Sequence, residues 1–173
     1  PTTNELFTMT STIYKLFTLS FLLVSFIACQ QTTDQTKQPT DKSVDEVGKL
    51  VSLNGTVSEI LAALELEEAI VGTDVTSTYP ASLQSKPKLG HNRSINVEGI
   101  LALQPERVMA LTSDIKPEVV EQLRMAGVKV QLFDREYSIE GTRQLIRQIA
   151  DSLGRPTVGQ QVVATLDQEL ASV

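Results

Sequence analysis

The sequence predicts an α/β chain in which a parallel sheet carries helices on its faces. Three observations point that way. Short apolar runs alternate with segments of helical period along most of the chain. Glycine, proline and capping residues punctuate the alternation where helices begin and end. About 126 residues lie from Gly48 onward, enough for one domain with a core of its own. Strands separated by helices favour parallel pairing over hairpins.

Each element follows from its residues. Residues 50–53, Leu-Val-Ser-Leu, form the first strand. Thr56 and Glu59 stand at capping-box spacing, and Val57, Ile60, Leu61 and Leu64 continue one helical face. Residues 70–73 form the second strand, and a long loop runs from Asp74 to Ser94. Asn96 caps a helix reaching Leu103, and residues 107–111 form the third strand. Pro117 opens a helix carrying Val120 and Leu123 and closed by Gly127. Residues 128–133 form the fourth strand. Ser138 caps a helix whose apolar face is Ile139, Ile146, Ile149 and Leu153, and Gly154 ends it. Pro156 opens a last helix with Val158, Val162, Leu166 and Leu170 spaced by four, still running at Val173.

The N-terminal part reads differently. Leu16 to Ala28 is an uncharged run of thirteen residues ending at Cys29, the only cysteine. A spanning helix needs about 20 apolar residues, so the run fits the core of a secretory signal. Ala28 before Cys29 resembles a bacterial lipobox, with Phe26 where leucine is usual. Residues 9–28 are then a signal peptide, with Met9 as start and residues 1–8 as upstream read-through. Residues 29–47 become a lipidated cysteine and a polar tether. The Gln- and Thr-rich stretch 30–43 spans roughly 20 Å as a coil. This address places the protein on the periplasmic side of the cell envelope, held to a membrane by its lipid.

The net charge of −6 argues against a nucleic-acid partner, which needs a basic surface. A phosphate loop, a Gly-x-Ser-x-Gly elbow, His-Glu-x-x-His and Cys-x-x-Cys are all absent from the sequence. A single histidine cannot build a multi-histidine metal cage. These absences lower the enzyme reading. What stands out is the loop after the second strand, with Tyr79 before Pro80 and the stretch from Lys88 to Gly99. Ligands of open α/β sheets bind beyond the carboxyl ends of strands, and this loop leaves such an end.

Residues 51–61 and 70–74 resemble the first two strands and first helix of the periplasmic solute-binding proteins that serve iron-chelate and cobalamin ABC importers. The segment 76–80, Thr-Ser-Thr-Tyr-Pro, with Gly90-x-x-Arg93 and Glu98-Gly99, is most similar to the hemin-binding branch. The resemblance implies an N-terminal lobe over residues 48–155 and a long inter-lobe helix starting at 156–173. The second lobe would be absent from this chain.

Site roles follow from the same resemblance. Tyr79 would ligate heme iron, for which a phenolate is a suitable hard donor; read alone, it is a loop tyrosine packing its ring. Arg93 would pair with a heme propionate or steady the phenolate; read alone, it is a solvated arginine. His91 would line the cleft rim without touching iron. Asn54 and Thr56 would serve the turn and cap, with ligand contact secondary, and Ser77 would join the ligand contacts. Glu98 would dock on the ABC permease, or simply complement a helix dipole.

The resulting expectation is a non-enzymatic lipoprotein without a catalytic cofactor. It would capture hemin and deliver it to a permease and its ATPase. The same fold carrying cobalamin or a ferric siderophore is the nearest alternative, and the lack of tryptophan weakens cobalamin a little. A surface-anchored enzyme with its catalytic residues in the missing half is the alternative of another class. A signalling or adhesion module is a third.

Overall fold

A strand that is apolar on both sides belongs in the interior of a sheet, and residues 50–52 lie there. The computed structural model describes residues 40–91 and 94–172. In chain order the elements are α1 (Val44–Val47), β1 (Leu50–Ser52), α2 (Gly55–Ala63), β2 (Ile70–Thr73), the two-residue strands β3 (Gly90–His91) and β4 (Ser94–Ile95), α3 (Val97–Ala102), β5 (Arg107–Leu111), α4 (Pro117–Met125), β6 (Lys129–Phe133), α5 (Ile139–Leu153) and α6 (Pro156–Ala171). The main sheet has the order β2-β1-β5-β6, and all its pairs are parallel. β1 is central, and its three residues are fully buried. The edge strand β6 is only partly covered.

Strand alternation sends successive side chains to opposite faces, and two cores result. Leu50, Met109, Leu111 and Phe133 face α2, α5 and α6. Val51, Val108 and Ala110 face α3 and α4 through Ile100, Val120 and Leu123. Each fully buried leucine or isoleucine in these layers stabilises the fold by about 1.5–3 kcal/mol. Val158, Val162 and Leu166 of α6 pack half-buried on the first core, while Leu170 is exposed. Gly159 lets α6 approach α5 closely, because a Cβ there would overlap Ala150. Arg143 joins the same two helices: its Nε donates to Asp167 Oδ1 at 2.7 Å, which pushes the guanidinium pKa up.

Three local expectations need correction. The box at Thr56 and Glu59 does not cap α2. Asn54 is the N-cap and accepts from Val57 N at 3.2 Å. The helix therefore starts at Gly55, whose N–H is taken by Thr76 Oγ1 at 3.1 Å. The long loop after β2 is also more ordered than a loop. It contains a 3₁₀ turn at Ala81–Ser85 and the antiparallel β3–β4 pair.

The third correction concerns the described end of the expected tether, residues 40–47. Ser43 and Glu46 form a complete capping box on α1, and Val47 is fully buried. Hydrogen bonding to Ser43 holds the Glu46 carboxyl below the usual carboxylate range. Lys42 N donates to Gly154 O at 2.9 Å, and Thr157 N donates to Asp41 Oδ1 at 3.0 Å. Buried Arg155 donates to Lys42 O at 2.6 Å and pairs with Glu65 at 3.1 Å. This segment straps the junction between α5 and α6. The signal peptide, Cys29 and residues 30–39 lie outside the described residues.

Candidate functional site

All four strands of the main sheet point the same way, so their carboxyl ends form one rim. The chain steps from β1 outward to β2, then crosses back to β5 on the other side of β1. That reversal is the topological switch point at which open α/β sheets hold ligands. The loops flanking it touch: Asn54 Nδ2 donates to Asp114 Oδ2 at 2.6 Å. Asn54 thus spends its oxygen on the cap and its amide nitrogen on the neighbouring loop.

Tyr79 lies on the loop that leaves β2, and the Tyr79–Pro80 peptide is cis. Its side chain is 69% exposed, unusual for so large a ring. It lines a groove of about 600 Å³ together with Thr56 and Glu59 of α2 and the facing sides of α5 and α6. Ile60, Ile146, Val158, Val162 and Leu166 supply its apolar floor. The rim exposes apolar side chains among polar ones. Among the described residues, Val75 and Tyr79 after β2, and Tyr137 and Ile139 after β6, are large hydrophobic side chains left exposed.

A partly buried polar network holds the Tyr79 loop. Asp74, 3% exposed, accepts at Oδ1 from Ser77 Oγ at 2.6 Å and at Oδ2 from Thr76 N at 3.1 Å and from Thr76 Oγ1. Ser77 Oγ also meets Ser58 Oγ at 2.6 Å, and Ser58 Oγ donates to Ser52 Oγ at 2.8 Å. Lys88 Nζ donates to Thr73 Oγ1, Ser77 O and Leu83 O at 2.8–3.0 Å. A buried carboxylate needs donors of this kind to offset its desolvation. The network fixes the backbone just before Tyr79.

Ser77 is therefore not a ligand contact. It is fully buried, with its hydroxyl committed to Asp74 and Ser58. Thr56 stays at the rim, where its Oγ1 accepts from Arg135 Nη1 at 3.0 Å. His91 is exposed on β3, beside the rim, since Val75 N donates to Gly90 O at 3.0 Å. Arg93 lies outside the described residues. Glu98 is exposed in the first turn of α3, where Asn96 Oδ1 caps Gly99 N at 2.8 Å. That position suits a dipole partner and a docking contact equally.

Sequence reasoning missed Asp74, Lys88, Arg135 and Tyr137. The signal for Asp74 was present, since Asp-x-Thr-Ser directly after a strand is a side-chain turn pattern. Arg135 and Tyr137 follow the fourth strand as Tyr79 follows the second, but only the sheet order brings them to the same rim. Among the described residues there is no cluster of three histidine, cysteine, aspartate or glutamate side chains able to hold a bare metal ion.

Known proteins resemble this chain over its described part. The periplasmic heme-binding protein RhuT of Roseiflexus sp. RS-1, in its apo form, superposes with a TM-score of 0.68 at 36% identity. The match covers 72% of this chain and 48% of that one. The ABC transporter substrate-binding lipoprotein YvrC of Bacillus subtilis is 28% identical over 130 residues, 74% of this chain and 41% of that protein. The vitamin B12-binding protein of Salmonella typhi is 30% identical over 125 residues, 72% of this chain and 46% of that protein. The chain thus spans less than half the length of each of these three. The four-stranded parallel sheet with helices on its faces matches the fold of the Roseiflexus structure. Residues 50–173 match the periplasmic binding protein family, and the chain belongs to it.

Proposed function

We propose that this chain forms the N-terminal lobe of a substrate-binding lipoprotein that captures hemin and delivers it to an ABC permease. The single observation that carries the reading is Tyr79, an exposed phenol on a braced loop at the sheet's carboxyl rim. A phenolate is a strong donor to ferric iron and a known axial ligand of heme. Because the porphyrin brings four nitrogens of its own, one protein donor from this lobe is enough to anchor it. The apolar rim residues Val75, Tyr137 and Ile139 suit the face of a macrocycle. The heme-binding name of the Roseiflexus relative supports the same cargo.

In this reading α6 leads toward a second lobe that closes the cleft. Lipid on Cys29 holds the protein beside its permease and ATPase, and Glu98 offers a contact to the permease. Arg93 and His91 flank the cargo. No bond in the cargo changes, so no catalytic group is required.

Cobalamin is the second reading, favoured by the B12-binding relative from Salmonella typhi. Titration of the full-length protein separates the two. Hemin should produce a high-spin ferric phenolate absorbance band, and Tyr79→Phe should remove it. A flat hemin titration with tight cobalamin binding would overturn the hemin reading. Mass spectrometry of the mature protein tests the anchor: an N-terminus other than a lipidated Cys29 removes it.

A further inference from the structure

We propose that Arg135, held over the ring of Tyr137, is a second ligand contact that recognises a carboxylate substituent of a planar macrocycle. The inference rests on the hemin reading of the rim and adds to it the basis for choosing an acidic cargo over a neutral one.

Position comes first. Arg135 and Tyr137 lie on the loop that leaves β6, at the same end of the sheet as Tyr79. Arg135 Nη1 donates to Thr56 Oγ1 at 3.0 Å, and Thr56 lines the groove together with Tyr79. Arg135 therefore reaches the first turn of α2 at the edge of the groove that Tyr79 lines.

Charge comes second. Arg124, Arg143, Arg147 and Arg155 each pair with a carboxylate. Arg107 donates to the carbonyl of Ser152, at the other end of the sheet. Arg135 differs from all of these. Among the described residues its two contacts are a neutral hydroxyl and the face of an aromatic ring, 4.7 Å from guanidinium carbon to ring centre. Stacking on an aromatic ring fixes the plane of the guanidinium and leaves its edge free to donate. A planar fork with unused N–H groups is suited to a carboxylate.

Apolar surface comes third. Tyr137 is 86% exposed, although a ring of that size normally buries most of its area. One face carries the guanidinium and the remainder is open surface, and Ile139, two positions on, is itself 52% exposed. A flat apolar ligand with an acid at its edge satisfies both halves of this pair together. Hemin has that chemistry, with two propionates on a planar ring. Cobalamin carries neutral amides around its ring, which give the guanidinium no charge to neutralise. The pair thus acts as a specificity element for the rim.

The test compares hemin with hemin dimethyl ester, which keeps the iron and ring but lacks the free acids. Both are titrated into the full-length protein, its Arg135→Gln and Arg135→Lys variants, and Tyr79→Phe. We expect Arg135→Gln to weaken hemin roughly 10-fold, the loss of one charge-assisted contact, and to leave the ester's affinity unchanged. Arg135→Lys should recover part of the preference, since it keeps charge but loses the fork. An unchanged melting temperature shows that the variants fold. If the ratio of hemin to ester affinity is the same in Arg135→Gln as in the parent, the proposal is wrong. In that outcome a Tyr79-dependent band still supports the hemin reading. If the parent binds neither compound, the hemin reading fails and the role of Arg135 falls with it.

Discussion

The loops that leave β2 and β6 reach the same rim by different physics. The first is long and braced from beneath. Buried Asp74 and the ammonium of Lys88 tie six protein groups together just before Tyr79. The second is short, and Arg135 and Tyr137 are held only by contacts at the surface. Hydrogen bonds to charged groups that are shielded from water are worth more than exposed ones. A metal donor needs a fixed position, since coordination tolerates little error in distance. A charge contact to a flexible carboxylate does not. The difference in bracing matches the difference in the tasks proposed for the two loops.

The largest expected break in this contrast comes from Asp74→Ala. It leaves the hydroxyls of Thr76 and Ser77 and an amide N–H without their acceptor. The fold should lose about 3 kcal/mol in denaturant titration, and hemin affinity should fall along with it. A variant of parental stability would show that the network does not brace the loop. Lys88→Met comes next. Losing three hydrogen bonds at a more exposed group should cost about 1–2 kcal/mol. Its effect should concentrate on the Tyr79 loop, seen as faster amide exchange at Val75 and Ser77, whose N–H groups bond Gly90 O and Asp74 O.

Arg135→Gln should change stability by no more than about 0.5 kcal/mol, because it removes only exposed contacts. A large loss there would mean that the β6 loop is braced after all. The smallest effect serves as a baseline far from the rim. Hydrogen bonding to Ser43 depresses the folded-state pKa of Glu46. Its contribution to stability is therefore complete above the unfolded value of about 4.3 and is lost as pH falls through the folded value. Glu46→Gln should flatten that part of the acid limb and leave hemin titrations at neutral pH unchanged. A neutral-pH change in hemin binding would connect α1 to the rim.

Much of the fold was legible because burial leaves a period in the sequence. The runs at 50–53, 70–73, 107–111 and 128–133 each contain an observed strand. Pro117, Ser138 and Pro156 mark helix starts within a residue of the structure. Errors arose where two local signals competed. Asn54 and Thr56 are both good caps, and the choice was made by Thr76, which takes the N–H of Gly55 from 21 positions away. Ser43-x-x-Glu46 is as clear a capping box as any in the chain, yet it sits at the end of a polar stretch whose composition suggested a tether. Ser77 was read as a ligand contact from the motif around Tyr79, whereas its hydroxyl points into the buried network.

By itself, the sequence determined the layer architecture, the succession of the four main-sheet strands with helices between them, and the place of a tyrosine on the loop after the second strand. Local hydrophobic period and turn chemistry suffice for those, because each is set by residues close together in the chain. Only the tertiary structure decided which loops share a rim. Strand order β2-β1-β5-β6 places the exit of β6 near the first turn of α2 and sets Arg135 against Thr56, 79 positions apart. Contacts that distant leave no periodic trace in either segment. They follow from the strand order, in which the chain returns past β1 to build β5 and β6, and that order is a property of packing and not of any short stretch of residues.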